Sequence, residues 1–241
     1  MTARVIVVGG SGTLGRVVCA ELAARGTRVA LTFCTDEASA RELGERHGAL
    51  SARLDLTRAD DIAPTIARLA DQLGGLDALV YAAAVSSTRV PQAFDALDDI
   101  DPEGWNRLFA INLGGAFFAL REAARHIGQG GGNLVLVGSV DGMKPMPMPV
   151  PYATSKGALG ALAASFGKAL GRRNIRVNVV APGILSAGAS RTVPDELRRE
   201  YLRHSSLKRL GTLEEAARVV AFFALENRYV TGQTLPLDGG L

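Results

Sequence analysis

Seven short runs of branched apolar residues recur along the chain, separated by stretches with helical spacing. The runs are RVIVVG (4–9), RVALTF (28–33), LSARLDL (50–56), DALVYAA (77–83), NLVLVGS (133–139), IRVNVVAP (175–182) and TLPLD (234–238). Helical patterns lie near 14–25, 36–47, 60–73, 102–126, 152–171 and 213–225. A strand that is apolar without alternation must be buried on both faces, which requires helices above and below a parallel sheet. Regular strand–helix alternation then predicts an α/β, doubly wound fold of about seven parallel strands flanked by helices. At 241 residues the chain suits a single domain, 1–241, with no repeat and no low-complexity tail.

Composition narrows the class further. Hydrophobic residues are 47% and charged residues 21%, as in a soluble protein with a sizeable core. A net charge of +3 without a long basic run argues against a nucleic-acid partner. Cys19 and Cys34 are too few for a disulfide framework and are expected to be buried thiols in a reducing cytoplasm. His47, His126 and His204 are scattered, so no metal site is expected. MTARVIVVGG enters a strand at once, so no signal peptide is expected, and no apolar run reaches a membrane span.

The first strand leads into GGSGTLG (9–15) and then into a helix. Glycines let backbone N–H groups approach a pyrophosphate at the helix N-terminus, so this turn predicts a Rossmann-type dinucleotide site. Asp55 ends the third run, where its carboxylate reaches an adenine amino group or merely caps a turn. The second run ends LTFCTDE without an acid at Thr32 or Phe33, where one would bind the ribose hydroxyls of NAD. That absence favours NADP over NAD. Thr35, Arg16 and Arg53 are the candidates to meet its extra phosphate.

The segment PMPMPVPYATSKGAL follows the fifth run. Pro147, Pro149 and Pro151 each lack a backbone N–H, so 145–151 is neither strand nor helix interior. Pro151 suits a first helical turn, after which Tyr152 and Lys156 fall one turn apart on one face. A phenol beside an ammonium is either a surface pair or a tuned acid. Residues 183–212 form a long irregular stretch after the sixth strand, with a short helix expected in PDELRREYLRH; such an insertion is the place for a substrate lid.

GGSGTLG, Asn112 with Leu113, Ser139, YATSK (152–156), APG (181–183) and GQTLPLDGG (232–240) stand in the order and spacing of the short-chain dehydrogenase/reductase family. The chain resembles that family from end to end, with a pattern similar to its 3-oxoacyl-[acyl-carrier-protein] reductases. The resemblance implies an NAD(P)-dependent oxidoreductase. Tyr152 would be the proton donor, Lys156 would lower the phenol's pKa and hold the nicotinamide ribose, Ser139 would bind the substrate oxygen, and Asn112 would hold a water leading to Lys156. The cofactor set carried over is Gly9, Ser11, Gly12, Thr13, Leu14, Thr35, Asp55, Leu56, Ala82, Ala83, Tyr152, Lys156, Pro182, Gly183 and Ile184.

Three positions depart from the family pattern. Thr13 stands at the middle glycine, with Gly12 one place earlier. YAAA (81–84) replaces an Asn-Asn-Ala-Gly stretch, so support for that strand must come from elsewhere. Ala187 stands where a threonine would meet the carboxamide, leaving Ser186 or the Ile184 backbone to substitute.

The expected activity is reduction of a β-ketoacyl thioester on an acyl carrier protein, in fatty-acid, polyketide or polyene-type synthesis. Rival readings are a dehydrogenase or reductase of a free small alcohol or ketone, and a dinucleotide sensor or scaffold without turnover. Met143, Met146 and Met148 would form an apolar wall or face the core, and Arg125, Arg172 and Arg173 would either form a basic patch beside the entrance for an acidic carrier or be ordinary solvated surface arginines. A helix over 152–171 that is apolar nearly all round predicts a homo-oligomer, dimer or tetramer. Trp105 and the 109–120 helix would supply the other half of that contact, or Trp105 sits in the core.

Overall fold

The computed structural model describes residues 2–86, 97–144, 146, 148–188 and 193–241. Its seven strands are β1 (Arg4–Val8), β2 (Arg28–Phe33), β3 (Leu50–Arg53), β4 (Ala78–Tyr81), β5 (Gly132–Val137), β6 (Ile175–Pro182) and β7 (Thr234–Leu237). They form one sheet in the order β3-β2-β1-β4-β5-β6-β7, and every neighbouring pair is parallel. The order reverses between β1 and β4, and the carboxyl ends of strands at such a reversal leave a crevice.

The helices are α1 (Thr13–Ala24), α2 (Glu37–His47), α3 (Ala59–Leu73), α4 (Pro102–Phe109), α5 (Gly115–His126), α6 (Val150–Leu170), α7 (Asp195–His204) and α8 (Leu213–Leu225). Successive β1 side chains point to opposite faces: Ile6 and Val8 join α3, α5 and α6 residues such as Ile66, Leu120 and Leu159. Val5 and Val7 join Val18, Leu43 and Val220 of α1, α2 and α8. Two apolar layers thus sandwich the sheet, and every residue of β5 and β6 is buried. That explains why these runs lack alternation. β7 is an edge strand, which accommodates Pro236, opposite Ala181 in the register.

Local chemistry sets the ends. Asp36 caps α2 by accepting from the Ser39 N–H at 3.0 Å. Thr212 and Glu215 form a reciprocal capping box on α8. The single helix expected over 102–126 is interrupted by a π-turn at Ala110–Gly114. Its disturbed ladder is held from outside, because the buried Tyr81 hydroxyl donates to the Ile111 carbonyl. Tyr81 therefore supplies some of the support that the substituted 81–84 stretch needed. Pro147 and residues 189–192 of the expected lid lie outside the described residues.

Candidate active site

One cleft of about 1500 Å³ opens along the carboxyl ends of the strands. Its first wall is the turn between β1 and α1. Gly9 has φ +75° and holds the left-handed conformation that favours glycine. Its N–H donates to Thr32 Oγ1 at 3.0 Å, so the residue where an acid was absent instead fixes the turn. A Cβ on Gly15 would lie 2.2 Å from the Gly9 carbonyl oxygen, so only glycine lets helix and turn close up. Helix α1 then starts on Gly12 with no side-chain cap and no acid in its first turn. Ser11, Gly12, Thr13 and Leu14 line the cleft around that start. Uncapped first-turn N–H groups at the positive end of a helix fit a phosphate, and Thr13 in place of glycine does not disturb the helix.

The outer part of this wall comes from the ends of β2 and β3. Thr35, Asp55 and Leu56 line it, and Asp55 also serves a turn, its Oδ1 accepting from Thr57 Oγ1 at 2.7 Å and Thr57 N at 3.0 Å. Exposed Arg53 lies here, its Nε donating to the Cys34 carbonyl at 3.2 Å. Arg16 does not line the cleft with Thr35 and Arg53, whereas Asp36 does. Cys19 is buried, and burial pushes its thiol up to about 12. Cys34, expected to be buried as well, is exposed on the cleft because β2 has already ended at Phe33.

The middle of the cleft is lined by Ala82 and Ala83 after β4 and by Pro182, Gly183 and Ile184 after β6. Ile184 and Ala187 face it, but Ser186 does not; its N–H donates to the Gly211 carbonyl at 2.8 Å. Tyr201 of α7 donates to the Asp238 carbonyl at 2.7 Å, tying α7 to the C-terminal segment.

At the far end, Ser139, Tyr152 and Lys156 meet. Lys156 is 5% exposed; its Nζ donates to the Val137 carbonyl at 2.9 Å and lies 5.8 Å from the Tyr152 ring centroid. Burial pushes this ammonium down to about 8, against a smaller opposing pull from Asp141. Tyr152 keeps part of its surface open to the cleft, yet the surrounding protein raises its pKa. The charge of Asp141 raises it further, and the neighbouring Ser139 hydroxyl opposes both. The expected lowering of the phenol by Lys156 is therefore corrected for the ligand-free protein. Burial is the leading influence on the phenol instead, and Tyr152 holds its proton at neutral pH.

Ser139 is carried on the turn Val140–Gly142, which touches α6 directly. A Cβ on Gly142 would lie 2.3 Å from the Gly157 nitrogen and 2.6 Å from the Lys156 carbonyl carbon. Gly142→Ala is expected to push this turn off the helix and lower kcat/KM by about 100-fold, the cost of a misplacement near 1 Å. Steady-state kinetics beside a thermal melt will show a catalytic loss larger than any fall in stability accounts for.

Asn112 is wholly buried and does not line the cleft. It clasps the backbone of Val85, accepting from its N–H and donating to its carbonyl, both at 2.9 Å, and also donates to Ser155 Oγ at 3.0 Å. Ser155 in turn donates to the Tyr152 carbonyl at 2.8 Å. This chain of bonds fixes the start of α6 to the segment after β4.

Met146 and Met148 line the cleft with Val193 and Leu197, whereas Met143 is exposed elsewhere. The basic patch is corrected: Arg125 in the last turn of α5 and Arg172 and Arg173 just after α6 lie toward the amino ends of the strands and do not line the cleft. Arg173 there donates to the carbonyl of Ala124 and Arg125 pairs with Glu122 at 2.8 Å. Trp105 is not in the core; it is half-buried and stacks on Phe109, centroids 4.5 Å apart. The residue missed in the sequence is Asp141, which lines the cleft and accepts from Ser139 Oγ at 2.7 Å. Its only signal was an acid two places after the serine in SVDG. Among the described residues, no cluster of metal-ligating side chains occurs and no helix is long and apolar enough to cross a membrane.

One end of this cleft fits the phosphates of a dinucleotide, and the other sets the Tyr152 phenol and the Lys156 ammonium beside the Ser139 hydroxyl. Such a site is that of an NAD(P)-dependent oxidoreductase. The chain belongs to the short-chain dehydrogenase/reductase family. A family model described as enoyl-(acyl carrier protein) reductase matches residues 10–241. The 3-oxoacyl-[acyl-carrier-protein] reductase of Mus musculus is 33% identical over 238 residues, covering 98% of this chain and 96% of that protein. The reductase MabA of Mycobacterium bovis, also named a 3-oxoacyl-[acyl-carrier-protein] reductase, is 30% identical over 239 residues, 98% of this chain and 92% of that protein. A short-chain dehydrogenase from Burkholderia cenocepacia, solved in complex with NADP, superposes with a TM-score of 0.89 at 28% identity. That match covers 99% of this chain and 97% of the other.

Proposed function

We propose that the protein is an NADPH-dependent ketoreductase that reduces a β-ketoacyl thioester, presented by an acyl carrier protein, to the β-hydroxyacyl product. The observation that carries this reading is that Tyr152 and Ser139 line one cleft together with an apolar wall of Met146, Met148, Val193 and Leu197. An acyl chain needs that apolar, adaptable wall. The names of the Mus musculus and Mycobacterium bovis relatives support the substrate class.

A bound NADPH would supply the hydride to the carbonyl carbon. The rest is done by this chain: Ser139 donates to the carbonyl oxygen, and Tyr152 delivers its proton there as negative charge develops. Lys156 holds the nicotinamide ribose and balances the charge left on the phenol. The backbone around Gly9, Ser11, Gly12, Thr13 and Leu14 holds the pyrophosphate. Asp55 and Leu56 border the adenine, and Ala82, Ala83, Pro182, Gly183 and Ile184 flank the nicotinamide half. In this assignment Asn112 acts by fixing α6 and the post-β4 segment, with the water path to Lys156 running alongside.

Preference for NADP over NAD is supported by the missing acid at Thr32 and Phe33 and by the exposed guanidinium of Arg53 beside Thr35. The NADP complex of the Burkholderia cenocepacia protein adds support. The described part of the lid, within about 183–212, is bordered by exposed Arg199 and Arg203 on α7, which suit an acidic carrier. We further assign a cytoplasmic homo-oligomer, dimer or tetramer. Two unpaired thiols and the exposed Phe117, packed edge-on against Phe166 with centroids 5.5 Å apart, support this.

The deciding assay follows NADPH consumption with a short β-ketoacyl thioester, an enoyl thioester and a panel of free ketones. Turnover of the β-ketoacyl thioester, with NADH far poorer, is expected. Turnover of free ketones alone would move the assignment to small-molecule metabolism. Tight dinucleotide binding without turnover, unchanged in Tyr152→Phe, would make the protein a sensor.

A further inference from the structure

Asp141 has no part in the chemistry just described, yet it occupies the centre of the site. It is half-buried on the Val140–Gly142 turn. Its Oδ2 accepts the Ser139 hydroxyl at 2.7 Å, while its own N–H points back to Ser139 Oγ at 3.4 Å. A serine hydroxyl carries one proton. Donation to a carboxylate is a charge-assisted bond and holds that proton firmly. While it lasts, Ser139 can present only lone pairs to anything else in the cleft. A carbonyl oxygen and the alkoxide formed from it are both acceptors and need a donor.

We propose that Asp141 is a positioning residue that decides where the Ser139 proton points: ionised, it withholds the proton from the substrate oxygen, and protonated, it releases it. The proposal rests on the ketoreductase reading above. By microscopic reversibility, the same protonated form serves reduction and oxidation, since the transition state is shared.

The surroundings make this carboxyl able to change state. From α6 it faces Lys156 and Tyr152, and from α7 Tyr201, whose pKa it raises. On its own connector Lys144 is paired with Asp238 of the C-terminal segment at 2.6 Å. Glu200 and His204 of α7, paired at 2.8 Å, line the same cleft. Burial pushes the Asp141 carboxyl upward, against the Ser139 hydrogen bond and the Lys156 charge. A bound substrate and cofactor exclude more water and push in the same direction.

Two measurements test it. The first is kcat/KM for ketone reduction against pH in the wild type, Asp141→Ala and Asp141→Asn. The wild type should lose activity on the alkaline side through one ionisation that both variants lack. At alkaline pH Asp141→Ala should exceed the wild type by about tenfold, the worth of one hydrogen bond returned to the transition state. The second needs no turnover: the Asp141 carboxyl is followed by carbon NMR through a pH titration and assigned by its loss in Asp141→Asn. Ser139→Ala should raise its midpoint by about one unit, because the carboxylate loses its donor. Parallel pH profiles in all three proteins, or a midpoint indifferent to Ser139→Ala, would overturn the proposal. A midpoint that answers to Ser139 in a protein that reduces no carbonyl would support the coupling and refute the ketoreductase reading instead.

Discussion

Tyr152→Phe is expected to lower kcat for ketone reduction by about 10²–10⁴-fold, the usual worth of a positioned proton donor. The fold should not notice. The substitution removes one oxygen at a cleft wall, and the phenol has no partner in the core whose loss would unfold α6. The helix start is held by other bonds, notably Ser155 to the Tyr152 carbonyl. Dinucleotide affinity and the melting temperature should therefore stay near wild type, and KM should move much less than kcat. The phenol in the ligand-free protein is kept protonated by burial and by Asp141. The loss should accordingly appear at neutral pH as a missing proton donor rather than as a shifted profile. A variant that retains most of its turnover would remove Tyr152 from the chemistry.

Lys156→Met is expected to abolish turnover and, at neutral pH, to make the protein more stable. The ammonium is 5% exposed, and burial takes it from an ordinary lysine value of 10.5 to about 8. Between those two pH values the unfolded chain binds more protons than the folded one, so stability rises with pH across the window. The penalty is fully present below about 8 and gone above the unfolded value. Its size is about 3 kcal/mol. Removing the side chain also leaves the Val137 carbonyl without its donor, at a cost of about 1 kcal/mol. The net gain at neutral pH is then about 2 kcal/mol, and denaturant melts at neutral and strongly alkaline pH should show it shrink or reverse at the latter. An equal effect at both pH values would mean that the buried charge is not what strains the site.

The two variants separate roles that a sequence alone runs together. Tyr152 and Lys156 are one turn apart on any helix begun by Pro151, so their neighbourhood was legible from spacing. The direction in which that neighbourhood acts was not. The phenol's state depends on how much protein surrounds it and on Asp141, which approaches from a different strand end. Likewise Thr32 reads as an absent acid in the sequence, but in the folded chain it holds the Gly9 N–H. Asn112 reads as a site residue, yet its amide is engaged with Val85 and Ser155.

Periodicity and turn chemistry by themselves determined the seven parallel strands, the glycine turn before α1 and the Tyr152–Lys156 pair on one helical face, while Ser139 was brought to that pair by the family resemblance. These depend on local rules: which residues alternate, which positions tolerate positive φ, and which side chains share a helical face. The tertiary structure alone decided the protonation of the phenol, the placing of Arg125, Arg172 and Arg173 away from the cleft, and the capture of the Ser139 proton by Asp141. Each of those depends on desolvation or on contacts between separate elements, and neither quantity has a period along the chain.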